Sequence, residues 1–329
     1  MTAVTLAFTG DVMLGRLVNR VLTFDGYRYV WGDTLDTLRE ADLRLINLEC
    51  AISDKGSKWT ATPKVFYFRA NPDATFTLQT AGIDFVSNAN NHSLDFQEEA
   101  LLDMLNRLDQ NDIAHTGAGQ NLAYASKPVI LRKRDVNIGV MAFADYPPEW
   151  AATENRAGIN SLPVDAGEQA LKSVGQSVKS MRAAGADYVI LSMHWGPNMR
   201  EFPTEEFQMF ARAVADLGVD VFFGHSAHIF QCVEVHNGRL ILYDTGDFVD
   251  DYAVDLDLRN DQSFLYLVTL EDGRISEVRL VPVLISNFQV NLATGSQADD
   301  ICSKMLRRSR AFNAQFTREG ERLILQVSK

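Results

Sequence analysis

The residue types that could do chemistry in this chain are concentrated in a few short runs. They are LAFTGDVM with Asp11, LRLINLE with Asn47 and Glu49, FVSNANNHSLD with Asn88, Asn90, Asn91, His92 and Asp95, VILSMHWG with His194, and VDVFFGHSAH with His225 and His228. His115 lies nearby in HTGAG. Imidazoles, carboxylates and carboxamide oxygens are the donors that hold divalent ions. Each run reads as the C-terminal end of a buried strand. Strand ends in an open α/β sheet share one crevice, where ligands bind. A metal site assembled from distant segments is the leading reading.

The candidates differ in strength. Asp11 sits where a carboxylate serves equally as a helix N-cap or a hard-metal ligand. Glu49 closes a run in which Leu45, Ile46 and Leu48 are apolar, and a carboxylate there is costly to bury without a cation. That favours a ligand. In NANNHSLD, three asparagines offer neutral oxygens ahead of His92, a proton donor; the alternative is an Asn-rich turn capping a helix from Asp95. His194 alone would be a satisfied core histidine. His225 and His228, three apart after VDVFF, can both reach one site.

These residues need a scaffold, and the apolar periodicity supplies one. Strand patterns cover 3–10, 43–49, 83–88, 128–132, 137–144, 187–194, 219–224, 230–236, 239–244, 263–270 and 274–283. Helix patterns cover 15–23, 33–40, 71–81, 95–110, 166–184, 203–217 and 296–314. The alternation predicts a layered α/β fold. VILRKRDVNIGVMAF and SFLYLVTLEDGRISEVRLVPV read as hairpins, the second turning at Asp272 and Gly273, so the sheet must be mixed. No repeat, linker or low-complexity segment divides residues 1–329, which predicts one domain. Segment 145–165 is the longest polar stretch, a substrate-facing loop or a passive surface excursion.

Composition excludes several classes. A formal charge of -12 and a pI near 5.0 argue against nucleic acid or an anionic membrane as partner. The basic cluster Lys304, Arg307, Arg308 and Arg310 reads as a solvated helix face. Cys50, Cys232 and Cys302 are too few and too scattered for a disulfide framework, which fits a reducing compartment. MTAVTLAFTGD enters the first strand at once, leaving no room for a leader or membrane anchor. The expectation is a soluble, cytoplasmic protein.

Taken in order, GDVMLG, INLECAIS, SNANNHSLDF, HTGAG, MHWG, GHSAH and YDTGDFVDDY resemble the CapA family of poly-γ-glutamate capsule biosynthesis proteins, itself similar to the calcineurin-like metallophosphoesterases. The resemblance runs from about residue 5 to residue 255, leaving 256–329 as a hairpin and helix that complete the domain. It implies an α/β fold of two packed mixed β-sheets flanked by helices. It implies Asp11, Glu49, Asn91, His194, His225 and His228 as metal ligands, with His92 as acid/base. The first motif departs from the metallophosphoesterase Asp-x-His, because Met13 stands at the third position and a thioether is a poor ligand for a hard ion. The expectation is one well-occupied divalent site (Mn, Zn, Fe, Mg or Ca), a weak subsite at Asp11, and little hydrolysis of generic phosphate esters.

Three functions follow. The first is a metal-dependent hydrolase that uses activated water on a γ-glutamyl or peptide amide, His92 giving the leaving group its proton. Lys64, Arg69 and Arg200 would offset the chain's acidity toward an anionic substrate. The second is a metal-dependent peptide epimerase in which histidines paired with Asp95 or Asp247 remove and return an α-proton. The third is a non-enzymatic polyglutamate assembly or binding protein.

Overall fold

The computed structural model describes residues 3–164 and 167–327. Its frame is the strand Val4–Val12. Leu6 and Phe8 face one core cluster while Ala7 faces another, as the two-residue period of a strand buried on both sides requires. This strand pairs in parallel with Leu43–Leu48 and antiparallel with Gln262–Glu271, so the sheet is mixed, as expected. The parallel side continues through Phe85–Ser87 and Ala114–Thr116. The other side continues through Arg274–Ser286, Arg322–Gln326 and Thr317–Glu319. The hairpin turns at Asp272 and Gly273, with φ of 50° and 77°, the left-handed pair that a tight two-residue turn needs.

A second sheet of six strands runs in the order Val233–His236, Arg239–Leu242, Val221–His225, Tyr188–His194, Val136–Ala144, Val129–Lys133. Its four inner strands are parallel, with antiparallel hairpins at both edges. The two sheets lie face to face. Phe8 and Leu45 of the first share a core with Ile190 and Phe223 of the second, the Phe8 and Phe223 rings 5.0 Å apart. Removing either ring would cost about 3–5 kcal/mol. Outside, Arg16–Asp25, Thr75–Ala81 and Gln97–Gln110 cover the first sheet through Val18, Leu22, Leu78 and Met104. Glu168–Ala183 and Glu205–Asp216 cover the second through Val174, Val178 and Val214. Two mixed sheets flanked by helices are the arrangement that the family resemblance implies.

The structure differs from the sequence reading in places. The helix expected at 71–81 opens as a 3-10 turn, Pro72–Ala74, before Thr75–Ala81, because proline is tolerated only at a helix start. The helix expected at 33–40 is a single turn, Leu35–Leu38. The last helix, Gly295–Ser309, stops short of 314 and gives way to the hairpin Thr317–Glu319 and Arg322–Gln326. Arg308 is not solvated: it is 1% exposed. It follows the face that carries Ile301 and Met305 into the core, and its guanidinium stacks over Phe230 and donates to Glu201 at 2.8 Å. Within 145–165, Gly158–Ile159 pairs with Ala118–Gly119 and Asn160 Nδ2 donates to the Ala142 carbonyl at 2.9 Å; residue 165 lies outside the described residues. A three-residue strand, Asp247–Val249, was too short and polar to read from sequence. It proves central to the site.

Candidate metal centre

The carboxylates meet because two backbones approach closely. Asp11 N–H donates to the Gly246 carbonyl at 2.8 Å, and Asp11 lies in register with Asp247 on the parallel strand Asp247–Val249. A Cβ on Gly10 would come within 2.3 Å of the Gly246 oxygen, so only glycine permits the approach. From the neighbouring strand, Asn47 Nδ2 holds Asp11 Oδ1 at 2.8 Å, and Glu49 N–H donates to the Val12 carbonyl at 2.9 Å. His228 sits on left-handed backbone, φ 61°, a strained conformation of the kind found at ligand sites. Its Nδ1 is 2.9 Å from Asp247 Oδ1. One donor atom each from Asp11, Glu49, His228 and Asp247 lies within 4.8 Å of the others.

The imidazole side comes from the second sheet. His194 and His225 end adjacent parallel strands in register, their Nδ1 atoms 3.0 Å apart. Ser192 Oγ lies 2.9 Å from His225 Nε2. These two histidines and Asp11 form a second donor group, again within 4.8 Å. The two groups share Asp11 and adjoin.

The electrostatics follow from burying several carboxylates and imidazoles together. Burial, then the charges of Glu49 and Asp247, pushes the Asp11 carboxyl well up. Burial pushes Asp247 up to about 6. Burial pulls His225 down to about 3 and His194 well below its usual value, so both are neutral at pH 7 with lone pairs to offer. His228 goes the other way: burial pulls it down, but Asp247, Glu49 and Asp11 outweigh that and hold it well up. Buried polar atoms are almost always bonded. Here Asp11 Oδ2, Glu49 Oε1, Asn91 Oδ1, His194 Nε2 and Asp247 Oδ2 are buried with no partner. Such a mixed oxygen and nitrogen set fits a divalent cation such as Mn, Fe or Zn.

The Asn-rich turn divides its labour. Asn90 is structural: its Nδ2 donates to Asn47 Oδ1 at 3.0 Å and to the Leu48 carbonyl at 2.8 Å, and its Oδ1 accepts from His92 N–H and Ser93 Oγ. Asn91 and His92 line a groove of about 760 Å³ together with His228 and Tyr252. His92 Nδ1 is 2.7 Å from Asp95 Oδ2, and its ring stacks on Phe68 with centroids 3.8 Å apart. Asp95 also accepts the Phe68 N–H at 2.5 Å and pairs with Lys64 at 3.0 Å. Asp95 thereby fixes one ring nitrogen of His92, leaving Nε2 as the free one.

The structure thus brings Asp11, Glu49, Asn91, His194, His225 and His228 to the crevice or its groove, with His92 and Asp95 beside it. Around Met13 the structure adds a donor that the motif does not show. The thioether is buried and accepts the Gly15 N–H at 3.0 Å, yet the Asp11 subsite is not short of donors, because Asp247 enters it. Asp247 also makes the His228 pairing that its expected acid/base role required. Tyr252 was missed: its hydroxyl donates to Glu49 Oε2 at 3.0 Å across 203 positions of sequence, a contact with no local signal. His115 lies elsewhere, against Asp109. Arg69 stacks on Phe96 and Arg200 lines a different cavity, so neither serves this groove. The three cysteines are buried and unbridged, and no helix among the described residues is long and apolar enough to cross a membrane.

Comparison with known proteins agrees with this assembly of motifs. A family model described as "Bacterial capsule synthesis protein PGA_cap" matches residues 5–252. A "Probable polyglutamine synthesis accessory protein" of Mycobacterium tuberculosis is 28% identical, covering 98% of this chain and 95% of that protein. The "PGA biosynthesis protein CapA" of Bacillus subtilis is 28% identical over 74% of this chain and 63% of its own length. The "Capsule biosynthesis protein CapA" of Bacillus anthracis is 24% identical over 98% and 78%. Among solved structures, the calcineurin-like phosphoesterase YfkN of Bacillus subtilis aligns over 88% of each chain at 12% identity and a TM-score of 0.42. Every motif that builds the crevice, Asn91-His92 included, lies inside the matched span, and the chain belongs to the bacterial capsule synthesis protein family PGA_cap.

Proposed function

We propose that this chain is a metal-dependent hydrolase acting on a peptide or γ-glutamyl amide. One observation carries the reading: unpartnered buried donor atoms of Asp11, Glu49, His194 and Asp247 belong to side chains from separate segments that form two adjoining donor groups, beside a groove lined by a carboxylate-oriented histidine. Asp11, Glu49, His228 and Asp247 would hold one cation, and Asn91, His194 and His225 extend the set toward a second position. Bound there, a divalent cation supplies Lewis acidity and lowers the pKa of water toward neutrality. Tyr252 orients Glu49. His92 protonates the leaving nitrogen through Nε2, while Asp95 fixes its tautomer and stabilises the charged ring. The relatives' printed names, which concern polyglutamine synthesis and PGA or capsule biosynthesis, support a peptide substrate. The charge of -12 speaks against nucleic acid, and three unbridged cysteines support a reducing, cytoplasmic setting. The single undivided chain 1–329 is read as one domain.

A second reading has its own support. His92 and His228 line the same groove, and each is paired through Nδ1 with a carboxylate, Asp95 and Asp247. Two such pairs could remove and return an α-proton, making the protein an epimerase. Incubation of the Mn-loaded protein with γ-glutamyl and peptide amides in deuterated water separates the readings. Hydrolysis releases amine; epimerisation inverts the residue and incorporates one deuterium. Purified protein with no retained metal and neither product would return it to a non-enzymatic assembly role. Rapid release of phosphate from nitrophenyl phosphate would point instead to a phosphoesterase.

A further inference from the structure

The mouth of the groove is apolar, and it is exposed. Val65 is 83% exposed, Phe66 58%, Tyr146 60% and Val254 44%, and all four line the groove above His92. They come from three segments far apart in sequence, so no single loop accounts for the patch. Large apolar side chains left in water at the rim of a polar crevice mark a ligand site.

The charges at the rim are already spent on the protein itself. Lys64 pairs with Asp95 at 3.0 Å and donates to the Asn91 carbonyl at 2.8 Å. Arg16 pairs with Asp251 at 3.1 Å, its guanidinium 5.8 Å from the Phe66 ring. Asp255 adds a further negative charge to the lining. Among the described residues, the groove therefore offers no unpaired cation to a polyanionic chain, and the global charge repels one.

We propose that the groove selects its substrate by a bulky apolar or aromatic group beside the reacting bond, seated against Val65, Phe66, Tyr146 and Val254, and disfavours a polyglutamate segment there. The position of the reacting bond rests on the metal-centre reading; the preference of the groove does not. A hydroxamate series on Mn-loaded protein tests it: acetohydroxamate, 3-phenylpropionyl hydroxamate and glutamate γ-hydroxamate. The phenyl compound should bind about tenfold or more tighter than acetohydroxamate, and the glutamate compound no tighter. F66S and V254S, both at exposed positions, should cut the phenyl advantage to about threefold or less, with acetohydroxamate, which carries no phenyl group, bound as before.

If the protein retains no Mn, the metal reading fails and the groove is read separately, by saturation-transfer NMR of 3-phenylpropionamide against acetamide on metal-free protein and its F66S variant. Phenyl-selective binding lost in F66S supports the proposal. Equal or tighter binding of the glutamate hydroxamate, a phenyl advantage that survives both variants, or no phenyl preference in the metal-free arm would overturn it.

Discussion

Two buried acidic clusters in this molecule end in opposite states. Asp103, 7% exposed, has both oxygens engaged: Ser53 Oγ at 2.7 Å and Arg107 Nε at 2.8 Å on one, Lys55 Nζ at 2.7 Å on the other. Burial would push its carboxyl up, but the bonds from Lys55, Ser53 and Arg107 prevail and hold it at about 2. Asp11 and Asp247 are at least as buried, yet both are pushed up, and each keeps an oxygen without a partner. His228 brings a positive charge to them, and burial still prevails. The difference teaches that burial does not decide the role of a carboxylate. Completion by the protein makes it structural, and incompletion leaves it for a ligand.

The sharpest way to break this comparison is to neutralise one member of each cluster. D11N should abolish metal-dependent stabilisation and lower turnover by two or more orders of magnitude, while raising the stability of the metal-free protein at pH 8. The sign follows from the raised carboxyl: an acid whose folded pKa lies above its unfolded value destabilises the fold once pH exceeds the unfolded value. D103N should do the reverse, costing about 1–3 kcal/mol with metal content unchanged. Denaturant titration of chelator-treated protein reads both.

Replacing His92 with Ala should lower turnover by about 10² to 10⁴ and leave bound metal in place by elemental analysis. Equal loss of metal in H92A and H225A would make His92 a ligand. A smaller effect concerns acid. Asp247 gains its proton near pH 6, so affinity for Mn, followed by calorimetry, should fall by up to about tenfold per unit below that pH for each proton displaced. The smallest is the pH dependence of Asp103. Its folded value of about 2 lies below the ordinary 3.8 of an aspartate, so its stabilisation is complete above about pH 4 and lost as pH falls through 2. The difference between wild type and D103N should close over that window.

Much of this was legible in the chain. Strand patterns with a two-residue period announced the sheets, and carboxylates and histidines at their ends, such as Glu49 after INL and His194 after VILSM, announced the crevice. What escaped depends on distance. Asp247 reaches Asp11 through a three-residue strand whose pairing needs Gly10 and Gly246, and nothing in DTGDFVDD declares that register. Tyr252 meets Glu49 only once both are placed. Arg308 looked solvated because its neighbours are charged, whereas helical spacing from Met305 turns it inward. Met13 is visible in its motif, and the approach of Asp247 from another strand is not.

The central claim is that the unpartnered donors hold a divalent cation, and anomalous diffraction from crystals soaked in Mn tests it most directly. The account predicts an anomalous peak roughly 2.0–2.6 Å from oxygens or nitrogens of Asp11, Glu49, His228 and Asp247, absent from D11N crystals treated in the same way. A crevice without a peak, or a peak unchanged in D11N, would contradict it.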